Sequence, residues 1–418
     1  MPRDTESIRH PFHINITETA RWGGLGRDIW NIYPNSIGVP AGRNRGRFAS
    51  KDALKKVQDR YWKKGLPMGM ELELELPTSL RPVDCVCDNI CIECADNNHS
   101  HCSEGRCEAY ANEGYIYMRD YEPVKEVMDL INKRVIDGMK NFALRNGQDY
   151  YQWTPVLSAK GDGSLTNGVE FNFQPFTTNA FKKYAASTFQ DIGYTKFQRM
   201  APSAGIHIHI PKAAFSDVEL YMWLLLMQSC SHQPGTNGLS FLSTIGQREP
   251  NNYCGQTPMR EAEKLYNAVQ TRRWNGGKFS EVNFNGHGNT VELRVFASNQ
   301  MPERLIKNMS FVEQSWRYVH LLMDFVNDEK YSQALQFLGD VNMFAGFLRN
   351  PNMKGYSEEL ATFIKRRWKA PREVNKLYTG ADPALAYLIT LNEHYQAWSG
   401  DSSVINNNTT TESTEVSV

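Results

Sequence analysis

The stretch with most chemistry in it is Gly69-Met70-Glu71-Leu72-Glu73-Leu74-Glu75-Leu76. Its strict alternation puts Glu71, Glu73 and Glu75 on one face of an extended strand and Met70, Leu72, Leu74 and Leu76 on the other. Same-face neighbours lie about 7 Å apart, so each ionised pair repels by roughly 0.6 kcal/mol in water and about 2 kcal/mol at an effective dielectric of about 20. A carboxylate column of this kind calls for cations. Three later stretches repeat the pattern. Glu170, Asn172 and Gln174 alternate with Val169, Phe171 and Phe173; His207 and His209 with Ile206, Ile208 and Ile210; Glu292 and Arg294 with Val291, Leu293 and Val295. If the four strands share a sheet and bury their apolar faces in one core, the acids, imidazoles and arginine meet on its other side.

Glu71, Glu73, Glu170 and Glu292 are hard oxygen ligands of the kind that hold magnesium while phosphate oxygens and water complete its shell. A lone Glu-x-Glu is most often a solvated sheet face, and four such strands weaken that reading. His207 and His209 admit three roles: contact with phosphate or magnesium, ligation of a transition metal, or a structural hydrogen bond. Arg294 keeps its charge at any working pH and either pairs with Glu292 or holds a phosphate or carboxylate. Arg248 is a second anion-binding candidate on residue type alone. Lys160-Gly161-Asp162-Gly163-Ser164 reads as a turn, since Asp and Gly supply one.

The positioning elements follow from periodicity. Residues 1–66 resist parsing except for a local basic run, Arg43 to Lys64, that is a solvated face or a contact for phosphate or an acidic partner. Helices are expected from Pro123 to about Arg145, after the capping box Ser216-Asp217-Val218-Glu219, from Pro258 through Val269, and from Pro302 to about Asn327, where Leu305, Met309, Val312, Trp316, Val319, Met323 and Val326 form one stripe. Two more are expected before Trp398. The Ser, Thr and Asn-rich tail 399–418 is expected to be disordered. No internal repeat is present. The layout is α+β: antiparallel strands separated by helices, with a helical C-terminal third.

Six of the eight cysteines fall between residues 85 and 107. Cys85, Cys87, Cys91, Cys94, Cys102 and Cys107, with His99 and His101, offer thiolate and imidazole ligands, and Cys91-x2-Cys94 has knuckle spacing. Zinc is favoured over disulfides, because the start of the chain lacks an apolar signal region and the reading is cytoplasmic. A segment with so few large apolar side chains draws its folding energy from the metal, so the zinc is expected to be structural.

In composition the 418-residue chain is globular, with 46 basic and 46 acidic residues, a balance that predicts neither nucleic acid nor an anionic membrane as partner. No apolar run is long enough for a membrane span. No Gly-x-Ser-x-Gly elbow or phosphate-binding Gly-x4-Gly-Lys-Ser/Thr loop occurs.

Taken in order, Gly69-x-Glu71-x-Glu73, Asp162-Gly163-Ser164 before Gly168-Val169-Glu170, Gly205-Ile206-His207-Ile208-His209, and Asn283 before Thr290-Val291-Glu292-Leu293-Arg294 resemble the amidoligase family, relatives of glutamate-cysteine ligases and glutamine synthetases in the carboxylate-amine ligase superfamily. The resemblance spans roughly residues 66 to 326. It implies a glutamine-synthetase-like fold, a curved antiparallel sheet with flanking helices, in a catalytic domain over 67–398. That domain would include the zinc-binding insert 85–107, which, with the basic segment 1–66, departs from the family pattern.

It further implies ATP and Mg2+ as cofactors and an acyl-phosphate route to an amide or isopeptide bond, from carboxylate and amine substrates that could belong to a peptide or protein. Glu71, Glu73, Glu170 and Glu292 would hold magnesium; Glu73, Arg294, His207 and His209 would be catalytic; Arg294, Ser164 and Asn283 would serve the nucleotide, with Arg248 added to them on residue type alone. Two other readings compete: a catalytically silent descendant that uses the zinc module for interactions, and a metallohydrolase built on His207 and His209. The acidic strands favour an enzyme, since stacked carboxylates cost stability without a metal.

Overall fold

The computed structural model describes residues 51–75, 81–83, 115–117, 157–162, 168–182, 204–248, 261–272, 280–283, 290–371 and 382–398, with isolated positions between them. The cysteine-rich segment 85–107, Ser164, most of the helix expected from Pro123 and the tail from Ser399 lie outside the described residues.

The strands are β1 (Met68–Glu75), β2 (Arg81–Val83), β3 (Tyr115–Tyr117), β4 (Leu157–Asp162), β5 (Gly168–Phe176), β6 (Gly205–Pro211), β7 (Val282–Asn283) and β8 (Thr290–Ala297). Six of them form one sheet in the order β4-β5-β1-β6-β8-β7, antiparallel throughout. The four strands with alternating acid or imidazole patterns are therefore contiguous: β5, β1, β6, β8. β2 and β3 pair in parallel as a separate two-stranded ribbon.

The side chains of Met70, Leu72, Leu74, Val169, Phe171, Phe173, Ile206, Ile208, Ile210, Val291 and Leu293 are all buried in one core. Burying a Leu or Ile side chain is worth about 1.5–3 kcal/mol. Three such residues on β1 outweigh the carboxylate repulsion on its other face, and that balance lets the acidic column exist.

Helices pack below. They are α1 (Lys51–Lys64), α2 (Thr178–Phe181), α3 (Asp217–His232), α4 (Phe241–Gly246), α5 (Ala262–Thr271), α6 (Pro302–Asn327), α7 (Tyr331–Gly339), α8 (Val341–Leu348), α9 (Glu358–Arg367) and α10 (Ala384–Ala397). α3 opens with the expected capping box: Glu219 N–H donates to Ser216 Oγ, and Ser216 N–H donates back to the Glu219 carboxylate. It is buried from Val218 to Ser231, as its unbroken apolar run requires. α6 takes the expected bounds. Trp223 Nε1 donates to Ser315 Oγ at 2.9 Å, which ties α3 to α6, and Trp316 Nε1 donates to the Ala214 carbonyl, in the turn before α3, at 3.0 Å, so both buried indoles have partners. α1 carries part of the basic run outward while Leu54, Val57 and Tyr61 enter the same core.

Two expectations are corrected. Lys160, Gly161 and Asp162 are not a turn: they lie in β4, paired with Glu170, Val169 and Gly168, because cross-strand pairing overrides the local Gly-Asp preference. After α6 there are four helices among the described residues, not two. Asp340 accepts from Asn342 N–H and Ser357 from Leu360 N–H, and these caps cut the segment into short pieces that a single periodicity window merges. No helix among the described residues is long and apolar enough to cross a membrane.

Candidate functional site

Register brings the polar residues together. Glu71 stands opposite Asn172 on β5 and His207 on β6, Glu73 opposite Glu170, and His209 opposite Glu292, which also faces Asn283. β6 and β8 slip between Ile206↔Phe296 and Ile208↔Leu293, so Arg294 and Val295 both oppose His207. Such a bulge bends a strand and re-aims its side chains. Arg294 lies beside Glu292, Nη1 to Oε1 2.7 Å, the bland pairing that residue type allowed.

His207 is the hub. Its Nδ1 lies 3.0 Å from Glu71 Oε2 and 3.3 Å from Glu292 Oε1, and its Nε2 lies 3.3 Å from Glu73 Oε1. Burial pulls its pKa below the ordinary histidine value, with Arg294 adding, against the hydrogen bond to Glu71 and the charge of Glu292. A neutral imidazole has one N–H, so it cannot donate to carboxylates at both nitrogens. A cation bound among these acids would answer that mismatch.

His209 Nε2 lies 3.1 Å from Glu71 Oε1, and its Nδ1 is 3.4 Å from Thr290 Oγ1. Glu71, His209 and Glu292 offer ligand atoms all within 4.8 Å of one another. Two carboxylates and an imidazole in that space fit a divalent cation with mixed oxygen and nitrogen ligands. Asn283 Nδ2 donates to Glu292 Oε2 at 2.8 Å and orients it. Glu73 is held differently. Its Oε2 accepts the Gly205 N–H at 2.5 Å, and its backbone carbonyl accepts from Ser298 Oγ. Glu170 is buried beside it.

Arg248 comes from the loop after α4. It is 7% exposed, and its Nη1 donates to the Arg294 carbonyl at 3.3 Å. It occupies a notch made by Gly205: a Cβ there would lie 2.1 Å from Arg248 Nη1 and 3.1 Å from Cζ. Two cations, Arg248 and Arg294, thus flank the carboxylates.

Every expected site residue that is described falls in this one neighbourhood. Thr290 and Ser298, which brace His209 and Glu73, were not foreseen. Nothing in their types or spacing distinguishes them from other strand-end hydroxyls.

Fold and site together define an α+β protein whose six-stranded antiparallel sheet gathers carboxylates, imidazoles and arginines on one face. No protein-family model matches the chain, and no curated protein matches it. Among solved structures, ligand-free GmaS is similar over 75% of this chain and 70% of its own, at 13% identity and a TM-score of 0.28.

Proposed function

We propose that the chain is an ATP- and magnesium-dependent carboxylate-amine ligase. The observation that carries the reading is the convergence of Glu71, His207, His209, Glu292 and Arg294 from β1, β6 and β8 on one wall, with ligand atoms of Glu71, His209 and Glu292 close enough to share a cation. Phosphoryl transfer asks a protein for little covalent work. It needs metal on the phosphate oxygens, a fixed cation for developing charge, and in-line positioning.

In the proposed reaction a substrate carboxylate oxygen attacks the γ-phosphorus of ATP, the bond to the β,γ-bridging oxygen breaks and ADP leaves. An amine then attacks the acyl carbon, the carbon–oxygen bond to the phosphate breaks with its electron pair leaving on inorganic phosphate, and the nitrogen gives up a proton. Magnesium, when bound, would neutralise the triphosphate, and Glu71, Glu73, Glu170 and Glu292 are the residues proposed to hold it, with His207 and His209 at metal or phosphate. Arg294 would steady the transferred phosphoryl group, with Arg248, Asn283 and Ser164 toward the nucleotide. Structural zinc in 85–107 and a peptide or protein as one substrate belong to the same proposal.

Release of ADP with magnesium and a mixture of amino acids and peptides tests it. Absence of both turnover and ATP binding would favour the silent descendant. His209 supports a second reading, a metallohydrolase: stoichiometric zinc or iron on Glu71, His209 and Glu292, with hydrolysis and no ATP dependence, would establish that one instead.

A further inference from the structure

Lys307, on α6, is 2% exposed on the apolar side of the sheet. Its Nζ donates to the Ile245 carbonyl and lies 4.4 Å from the Phe363 ring centroid and 5.9 Å from that of Phe296. Burial, with Arg304 adding, draws its pKa well below the usual lysine range. An amine in such a place is costly, and a methionine would pack there at less cost. The bond to Ile245 is what a methionine could not supply.

Ile245 sits in the last turn of α4, where helix carbonyls lack partners of their own. The same turn is pressed against β8: a Cβ on Gly246 would lie 1.9 Å from the Val295 carbonyl oxygen. Gln247 then closes the helix in the left-handed region, at φ 55° and ψ 30°, its N–H donating to the Ser243 carbonyl. The next residue is Arg248, lying in the Gly205 notch with Nη1 on the Arg294 carbonyl. The end of α4 is therefore gripped from below by α6 and from the side by β8, and it hands Arg248 to the acid face.

We infer that Lys307 is a positioning residue: by fastening the end of α4 it sets Arg248 in its notch beside Glu73 and Arg294. The role of Arg248 toward an anion rests on the ligase reading, whereas its placement by Lys307 does not.

The test uses the full chain and two readouts. Arginine modification by phenylglyoxal, read by mass spectrometry, reports where Arg248 is, with buried Arg272 and Arg317 as internal controls for general unfolding. Lys307→Met should raise the rate at Arg248 about fivefold or more through local opening, leaving Arg272 and Arg317 protected. An unchanged rate at Arg248, or a rise at all three together, overturns the inference. Should methionine unfold the chain, Lys307→Leu, which likewise has no donor for the Ile245 carbonyl, replaces it under the same expectations.

The second readout is calorimetric titration with Mg-ATP of wild type, Lys307→Met, Arg248→Ala and the double variant. Affinity should fall about five- to thirtyfold in Lys307→Met, with no further fall when Arg248 is already alanine. An equal fall in both backgrounds refutes action through Arg248. If wild type binds no Mg-ATP while Arg248 still loosens selectively in Lys307→Met, the ligase reading fails and the positioning role stands.

Discussion

Gly205→Ala is the sharpest perturbation the site offers. The added methyl carbon would sit 2.1 Å from Arg248 Nη1, where carbon and nitrogen in contact need about 3.4 Å, so the guanidinium must retreat by about 1.3 Å or more. It can do so, because it is the end of a flexible side chain. What is lost is its bond to the Arg294 carbonyl. One neutral-acceptor bond is worth about 0.5–1.5 kcal/mol net, and Ala is favoured over Gly in a strand by about 0.5–1 kcal/mol, so global stability should barely change. The backbone N–H at this position would still reach Glu73. Anion binding is another matter: a charged hydrogen bond contributes about 1.5–3 kcal/mol, so Kd for Mg-ATP should rise about ten- to a hundredfold. Gly69→Ala is the control, since its Cβ would meet His209 Cβ at 3.5 Å and the Phe173 carbonyl at 3.8 Å, ordinary contacts. Calorimetric titration beside thermal unfolding separates the two effects. Wild-type affinity in Gly205→Ala, or equal losses in both variants, would refute the notch argument.

Glu73→Gln should abolish ADP release while leaving the fold intact by circular dichroism; loss of folding would make Glu73 structural. Added Mg2+ or Mn2+ should raise the unfolding temperature of wild type, since a ligand at a hundredfold excess over its Kd contributes about 2.7 kcal/mol, and Glu292→Gln should shrink that rise. Far from the site, Gln58 Nε2 donates to Glu219 Oε2 at 2.5 Å and His320 Nδ1 lies 2.7 Å from Glu219 Oε1. Burial opposes the charged ring of His320, but Glu219, with Asp59 and Asp324, outweighs it and raises the pKa. Burial of Glu219 is likewise outweighed, by His320 and Ser216, and its pKa is lowered. The histidine contribution is complete below about pH 6.5 and lost as pH rises through the raised value; the carboxylate contribution is present above about pH 4.3 and lost as pH falls through the lowered one. The unfolding-temperature gap between wild type and His320→Asn should therefore be widest between those limits and narrow above them, and a gap constant with pH would contradict the pairing. Elemental analysis of protein purified without added metal should find zinc in the cysteine segment; oxidised cysteines without zinc would overturn that expectation.

The faces of the four strands were legible from period alone, because alternate side chains on any extended chain must point opposite ways. So were α3 and α6, whose cap residues and apolar spacing are local. The short helices after α6 were blurred because their breaks depend on single caps at Asp340 and Ser357. The Gly-Asp stretch misled because its conformation is set by β5 across the sheet.

From residue types alone it followed that acids, imidazoles and an arginine would share a wall if their strands shared a sheet. Only the tertiary structure decided that they do, with Glu71 against His207 and His209 against Glu292, and with a bulge in β8 opposite His207. It alone placed Arg248 over Gly205 and Lys307 beneath α4. These contacts join residues far apart in sequence. Local patterning states which way a side chain points on its own element; what it then meets depends on which elements the whole core packs together.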